Sequence, residues 1–428
     1  HGKDVIEGNV MGIATGRESR GHRFHATGPI IIDSPLIYEG TEALRITGVG
    51  QTIQSSQNID ILVTHNTDFL TLTGIGLRGP SNFNMANRNK NTAGRGLFVS
   101  APFGSKDQLT VRLSDVNIHG VAGHGIHITD CNDATGCNDS MAESSVVLIL
   151  SNTHVFDAGH GRHDADGIRM DEHGKGDIFF YASDSSVIDN GGDGIELDEA
   201  GKGDVNAQLT STYVGSNGFY CDPAVIAPLL PKDGASFAAG EMMNFDLTRA
   251  IDALPDPNCI DDDIDKHTDR SIAAFDYDID IEDGLDIDET GPGAISVNLQ
   301  NTDLDQNASE GLDFDEEDAG SLRLTATDLG VVEQGTEGIK LTEEGPGDLL
   351  VTVQSGIIKD SVENAFIAEE DNHGDLRIVI LDTEIAGNGA GEDTGIEAAE
   401  DGRGNGEILL LNSDITDGLD LDGVTLKR

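Results

Sequence analysis

Asp283-Gly284-Leu285-Asp286-Ile287-Asp288-Glu289 decides the fold, because the same seven-residue pattern keeps returning along the chain. It recurs as Glu310-Gly311-Leu312-Asp313-Phe314-Asp315-Glu316 and as Glu337-Gly338-Ile339-Lys340-Leu341-Thr342-Glu343, with successive glycines 27 residues apart. Upstream, Asp166-Gly167-Ile168-Arg169-Met170-Asp171-Glu172 and Asp193-Gly194-Ile195-Glu196-Leu197-Asp198-Glu199 keep the same interval of 27. A fixed period between about 20 and 50 residues marks a solenoid, in which each repeat buries its apolar side against the next.

One repeat reads as three short strands. In the copy that opens at Gly311, Leu312 and Phe314 alternate with Asp313 and Asp315, the period of a half-buried strand. Glycines at the following turn (Gly320 here, Gly291 and Gly293 or Gly174 and Gly176 elsewhere) permit a sharp corner. Leu322, Leu324 and Ala326 then alternate with Arg323 and Thr325, and Leu329 to Val332 forms a third run. The pattern predicts an all-β chain: a right-handed parallel β-helix solenoid of about 27 residues per coil. Helical repeats would need a 3.6-residue period, which is absent. Asn190, Asn307 and Gln334 each stand four residues before a motif glycine, so stacked amides are expected along one corner.

On this coil pattern, roughly residues 28–428 resemble the pectate-lyase-like right-handed β-helix superfamily. The resemblance implies the fold. It leaves function open, since that superfamily holds polysaccharide lyases, hydrolases and epimerases as well as adhesins and structural proteins. The polygalacturonase branch is not matched: Asn66-Thr67-Asp68 and Gly123-His124-Gly125 are present, without the Asp-Asp pair between them or an Arg-Ile-Lys after them.

The expected organisation is an N-terminal segment over 1–28, a first block of coils over 29–220, an insertion over 221–270, and an acidic block of coils over 271–428. The insertion is marked by Pro223, Pro228, Pro231, Pro255 and Pro257, and Ala238 to Leu254 within it reads as a short helix. Cys131 with Cys137, and Cys221 with Cys259, each bracket a loop, which predicts two disulfides and an oxidising compartment. The chain opens at His1 with no leader pattern and has no apolar run long enough for a membrane span, so a processed protein is expected, extracellular, periplasmic or at a cell surface.

The formal charge is −52, and it is unevenly spread. Residues 1–118 hold eleven Lys/Arg against ten Asp/Glu, so the remaining 310 carry −53. Nucleic acid and anionic membranes are disfavoured as partners by the lack of a large basic patch. Stacking the repeats puts Asp171, Asp198, Asp288 and Asp315 in one outward column, with Arg169, Glu196, Asp286 and Asp313 beside it. Neighbouring coils lie about 4.8 Å apart, where two like charges repel by roughly 3.5 kcal/mol at an effective dielectric of 20. Divalent cations offset such repulsion, and Ca2+, which takes 6–8 hard oxygen ligands, suits Asp171, Glu196, Asp198, Asp286, Asp288, Asp313 and Asp315 as ligands.

Seven of the thirteen histidines fall between His119 and His173, together with Asp166 and Arg169. In this setting His127 and His163 are candidate bases, with Arg169 and Asp166 beside them, for lyase or epimerase chemistry on a sugar. The absence of Trp and the five Tyr weigh against a sugar-processing cleft, and the acidic surface repels uronates and sulfated glycans, so an enzyme would act on neutral or weakly charged glycans. Two readings therefore stand. The first is a secreted, calcium-loaded β-helix serving as a structural or surface component, able to assemble head to tail as a homo-oligomer. The alternative is a polysaccharide-processing lyase, hydrolase or epimerase with a His/Arg site.

Overall fold

The computed structural model describes residues 13–18, 21–84, 94–102, 104–130, 143–230, 254–261, 278–389 and 394–428. The chain winds into a right-handed parallel β-helix. A sheet of twelve described strands, the first sheet, runs from Leu36–Tyr38 to Leu419–Asp422. Its middle consists of Ile126–Thr129, Ile168–Glu172, Ile195–Glu199, Leu285–Glu289, Leu312–Glu316, Ile339–Glu343 and Phe366–Glu370. Ile168, Ile195, Leu285, Leu312 and Ile339 stack in register, all pairings being parallel. These residues and those two positions on, such as Met170, Ile287 and Phe314, are fully buried, and they join one continuous apolar core. The alternation is the reason: a strand shows its faces in turn, and each coil buries one of them.

The second sheet covers the other two faces of the rod. Leu322–Val332 and Ile295–Asp305 each run round the corner between them as single strands. Asp328 (φ 53°) and Asn301 (φ 49°) sit at that corner in the left-handed region, which Asn and Asp tolerate better than most residues. One coil later the corner at Ser355 (φ 57°) separates Leu349–Gln354 from Ile357–Lys359. The second and third strands of the repeat are thus present, fused in some coils because one left-handed residue turns the chain without disrupting the pairing on either side.

A buried amide ladder lines another corner. Asn190 Nδ2 donates to Asn217 Oδ1 (2.9 Å), Asn217 Nδ2 to Asn307 Oδ1 (3.0 Å), and Asn307 Nδ2 to Gln334 Oε1 (3.0 Å). Gln334 Nε2 ends the row on the carbonyls of Leu304 and Val332. Asn217 escapes a reading by spacing, because the insertion separates it from the next motif glycine.

That insertion leaves the stack undisturbed. Ile195–Glu199 pairs directly with Leu285–Glu289, and Glu196 lies opposite Asp286, 90 residues later. The chain between them carries the Cys221–Cys259 disulfide (S–S 2.10 Å) and a four-residue helix, Pro223–Ile226, capped by Asp222 Oδ1 accepting from Ala224 N (2.8 Å). Residues 238–253 of the expected helix, and Cys131 with Cys137, lie outside the described residues. At the other end, Gly21–Ala26 already pairs in parallel with Leu44–Gln54, ahead of the boundary expected at residue 28.

Candidate functional site

Outward positions of the first sheet form two columns. The register sets Phe98, His127, Arg169, Glu196, Asp286, Asp313 and Lys340 in one, and Ser100, Thr129, Asp171, Asp198, Asp288, Asp315 and Thr342 in the other. A third acidic column precedes the motif glycines, where each carboxylate accepts the backbone N–H of its counterpart one coil on. Asp166 Oδ1 accepts from Asp193 N (3.0 Å), Asp193 Oδ1 from Asp283 N, and Asp283 Oδ1 from Glu310 N (2.7 Å). This column was visible in the sequence as the acid before each glycine, yet only Asp166 among its members was a candidate site residue.

Arg169 is the hub. Its Nε donates to Asp171 Oδ1 (2.7 Å) and its Nη1 to Glu196 Oε2, while Nη1 also reaches Asp164 (3.4 Å) and Asp166 (3.8 Å), and Nη2 reaches Asp198 (3.6 Å). Four carboxyls from three columns, with Asp164 from the loop before the strand, converge on one guanidinium. Its planar fork is suited to such multiple pairing.

His127 stacks on Arg169 in register, and both of its ring nitrogens are engaged. Arg95 Nη1 donates to Nδ1 (3.3 Å), which leaves the proton on Nε2 to donate to Asp171 Oδ2 (2.7 Å). Arg95 is itself held by Asp60 (3.0 Å) and lies 3.6 Å over the Phe98 ring. Burial lowers the His127 pKa despite the Asp171 carboxylate, which favours the neutral ring. His124 Nδ1 accepts the Asp166 backbone N–H (3.0 Å), and His173 Nε2 lies 3.1 Å from Asp198 Oδ2. His163 is placed elsewhere: it bonds Asp280 and packs edge-on against Tyr220, whose neighbour Cys221 is in the disulfide.

The carboxyls respond to this setting in opposite ways. Burial works against ionised Asp171, yet the bonds from His127 and Arg169 hold it well below the usual carboxylate range. Burial likewise opposes ionised Asp166, and His124 and Arg169 bring it down. Glu196 goes the other way, pushed well up by burial and by the Asp166 charge, in spite of Arg169. Further along, burial and the charges of Asp288 and Asp313 push Asp286 well up, and burial with Asp315 brings Asp313 to about 7. Asp288 reaches about 6, from burial and then Asp315.

Three groups bring carboxylate or imidazole ligand atoms within 4.8 Å of one another without a cysteine: Asp171, His173 and Asp198; Asp164, Asp166 and Glu196; and Asp283, Glu310 and Asp313. Arg169 already occupies the first two. The third is all-oxygen, and Asp313 Oδ1 is buried with no partner among the described residues, although Lys340 Nζ bonds the other oxygen (2.7 Å).

No protein-family model and no curated protein matches the chain. Among solved structures it is similar to the periplasmic alginate epimerase AlgG, at 10% identity, covering 95% of this chain and 86% of that one, with a TM-score of 0.44. Pectate lyase Pel9A is similar at 9% identity, over 95% and 69% of the two chains, with a TM-score of 0.36. A GH136 lacto-N-biosidase from Eubacterium ramulus is similar at 11% identity, over 87% and 60%, with a TM-score of 0.34. The likeness concerns the coil stack alone.

Proposed function

We propose that the chain processes a neutral or weakly charged polysaccharide by acid–base chemistry at the Arg169 patch. One observation carries this reading: two carboxyls held by the same guanidinium are shifted in opposite directions, Asp171 down through its bonds from His127 and Arg169, Glu196 up through burial and the Asp166 charge. A carboxyl raised in this way is suited to serve as the general acid. Glu196 supplies the proton for the leaving glycosidic oxygen. Asp198, two residues along the same strand and with a side chain 20% exposed, activates the water. Arg169 and His127 position the carboxyls without themselves exchanging protons. The chain's negative charge repels anionic glycans, which sets the substrate class.

The test is turnover over a panel of neutral and weakly acidic glycans, with Glu196→Gln and Asp198→Asn as variants. Each variant is expected to lose at least about 100-fold in rate with the fold retained. Undiminished turnover by Glu196→Gln would remove the reading. An oxidising, extracytoplasmic compartment belongs to the same proposal, supported by the Cys221–Cys259 disulfide. No helix among the described residues is long and apolar enough to cross a membrane.

A second reading has its own support: Ca2+ held by Asp283, Glu310 and Asp313, with the rod acting as a structural surface component. What favours it is the all-oxygen group and the partnerless Asp313 Oδ1.

A further inference from the structure

The fifth residue of each repeat strand on the first sheet takes no part in the site. Glu172, Glu199, Glu289, Glu316, Glu343, Glu370 and Glu400 stack in register, and the first six are 0% exposed. Their parity matches the inward first and third positions, so they point into the rod. In five of them one oxygen is used locally. Oε1 accepts from Gly176 N in Glu172 (3.1 Å), from Gly201 N and Gly203 N in Glu199 (3.0 and 3.1 Å), and from Gly291 N in Glu289 (2.9 Å). Glu343 and Glu400 do the same with Gly345 N (3.2 Å) and with Gly402 N and Gly404 N (3.2 and 2.9 Å).

The other oxygens lack donors. Oε2 of Glu172, Glu199, Glu289 and Glu343, and both oxygens of Glu316 and Glu370, are buried without a hydrogen-bond partner among the described residues. What each carboxyl faces is the next one: Glu172 meets Glu199, Glu199 meets Glu289, Glu316 lies between Glu289 and Glu343, and Glu370 lies between Glu343 and Glu400. Further acids stand beside the row: Asp130 at Glu172, Asp318 at Glu316 and Asp371 at Glu370.

We propose that these seven glutamates form a hydrogen-bonded carboxylic-acid column, one proton shared across each gap, which fastens coil to coil at neutral pH and comes apart in alkali. Two ionised carboxylates offer acceptors only, so stacked ions cannot bond one another. A proton in each gap supplies the donor that the orphaned oxygens lack and removes the buried charge. Calcium would need 6–8 oxygens around it, whereas the Oε1 atoms just described are turned toward glycine amides. Burial first, and then the neighbouring acids, raises Glu343 to about 9 and Glu370 to about 7. A carboxyl raised in the folded state contributes stability that is complete below its unfolded pKa. That stability starts to fall above the unfolded value, about 4.3 for glutamate, and is gone once pH has passed the folded value, so the column weakens progressively from about pH 5 to about pH 9.

The test uses Glu343→Gln and Glu370→Gln, since an amide has the shape of the protonated acid and keeps a donor. Melting is followed from pH 5 to 10, with and without EDTA, alongside infrared difference spectra of wild type minus each variant at pH 7. The expected result is a carboxylic-acid carbonyl band lost in each variant and a Tm at pH 7 within about 3 °C of wild type. Wild type should also show an alkaline fall in Tm that EDTA does not mimic and that the variants share less. A carboxylate band in the difference spectrum, or a wild-type Tm that falls with EDTA together with Gln variants that melt far lower, would overturn the proposal in favour of bound cations. The two variants sit on separate coils, so failure of one to fold leaves the other to decide, and the wild-type pH and EDTA curves need neither.

Discussion

Arg169 shows how much a single side chain carries in an acidic rod. Its guanidinium is the shared partner of Asp164, Asp166, Asp171, Glu196 and Asp198, and its side chain is only 19% exposed. Removing one member of a buried ion pair leaves its partners uncompensated and costs about 3–5 kcal/mol. Arg169→Ala should therefore lower the unfolding free energy by that amount in urea titrations at pH 7, and by less at pH 4, where protonation relieves the carboxylates. An exposed arginine would instead give a change under about 0.5 kcal/mol. The sequence placed Arg169 correctly beside His127 but could not show that it is saturated, because Asp164, Asp166 and Asp198 reach it from different turns and coils. The buried glutamates were hidden by expectation rather than by spacing. Glu316 closes the repeated motif just before the turn, a place that does not suggest burial, since glutamate is almost never fully buried unless paired. Its position, two residues after inward Phe314, was the available signal.

At the scale of the coil, two rows of small details fix the stacking. Asn217 donates to Asn307 and to the Val187 carbonyl (3.2 Å), and accepts from the side chain and backbone of Asn190 (2.9 and 3.2 Å). Asn217→Ala should cost about 1–3 kcal/mol by leaving buried donors and an acceptor unpaired, read as a loss of Tm in calorimetry. Asn217→Asp at low pH, with a protonated acid in the slot, should recover part of it. The glycine row beside the glutamates is stricter. A Cβ on Gly320 would stand 1.5 Å from the Gly293 carbonyl oxygen, and one on Gly347 would stand 1.3 Å from that of Gly320. Backbone, not a movable side chain, is in the way, so Gly320→Ala should destabilise by more than about 3 kcal/mol. A stability within 1 kcal/mol of wild type would mean that the coils are more widely spaced there. The amide row was legible because Asn190, Asn307 and Gln334 keep one offset from the motif glycine. The corner residues such as Asp328 were not, since a left-handed aspartate looks like any other surface acid in sequence.

Over the whole rod, the 27-residue period sets the architecture and the charge sets its conditions. The excess acid lies after residue 118, where Lys and Arg are too few to balance it. Shared protons and cations are the remaining ways to reduce repulsion of roughly 3.5 kcal/mol per close pair at an effective dielectric of 20. If Ca2+ binds at Asp283, Glu310 and Asp313, saturating calcium should raise Tm over an EDTA control at equal ionic strength, because binding to the folded state adds stability by mass action. Asp283→Asn with Glu310→Gln should abolish that difference, and equal midpoints in the wild type would exclude the site. The periodic acids were readable as columns from the start. Their protonation was not, because it depends on burial and on which acid faces which across neighbouring coils. The measurement that bears most directly on the functional account is anomeric-proton NMR of neutral glycans incubated with wild type and with Glu196→Gln. Cleavage by the wild type is expected, and at least about 100-fold less by a folded Glu196→Gln. Cleavage undiminished in that variant, or none by the wild type on any glycan of the panel, would contradict it.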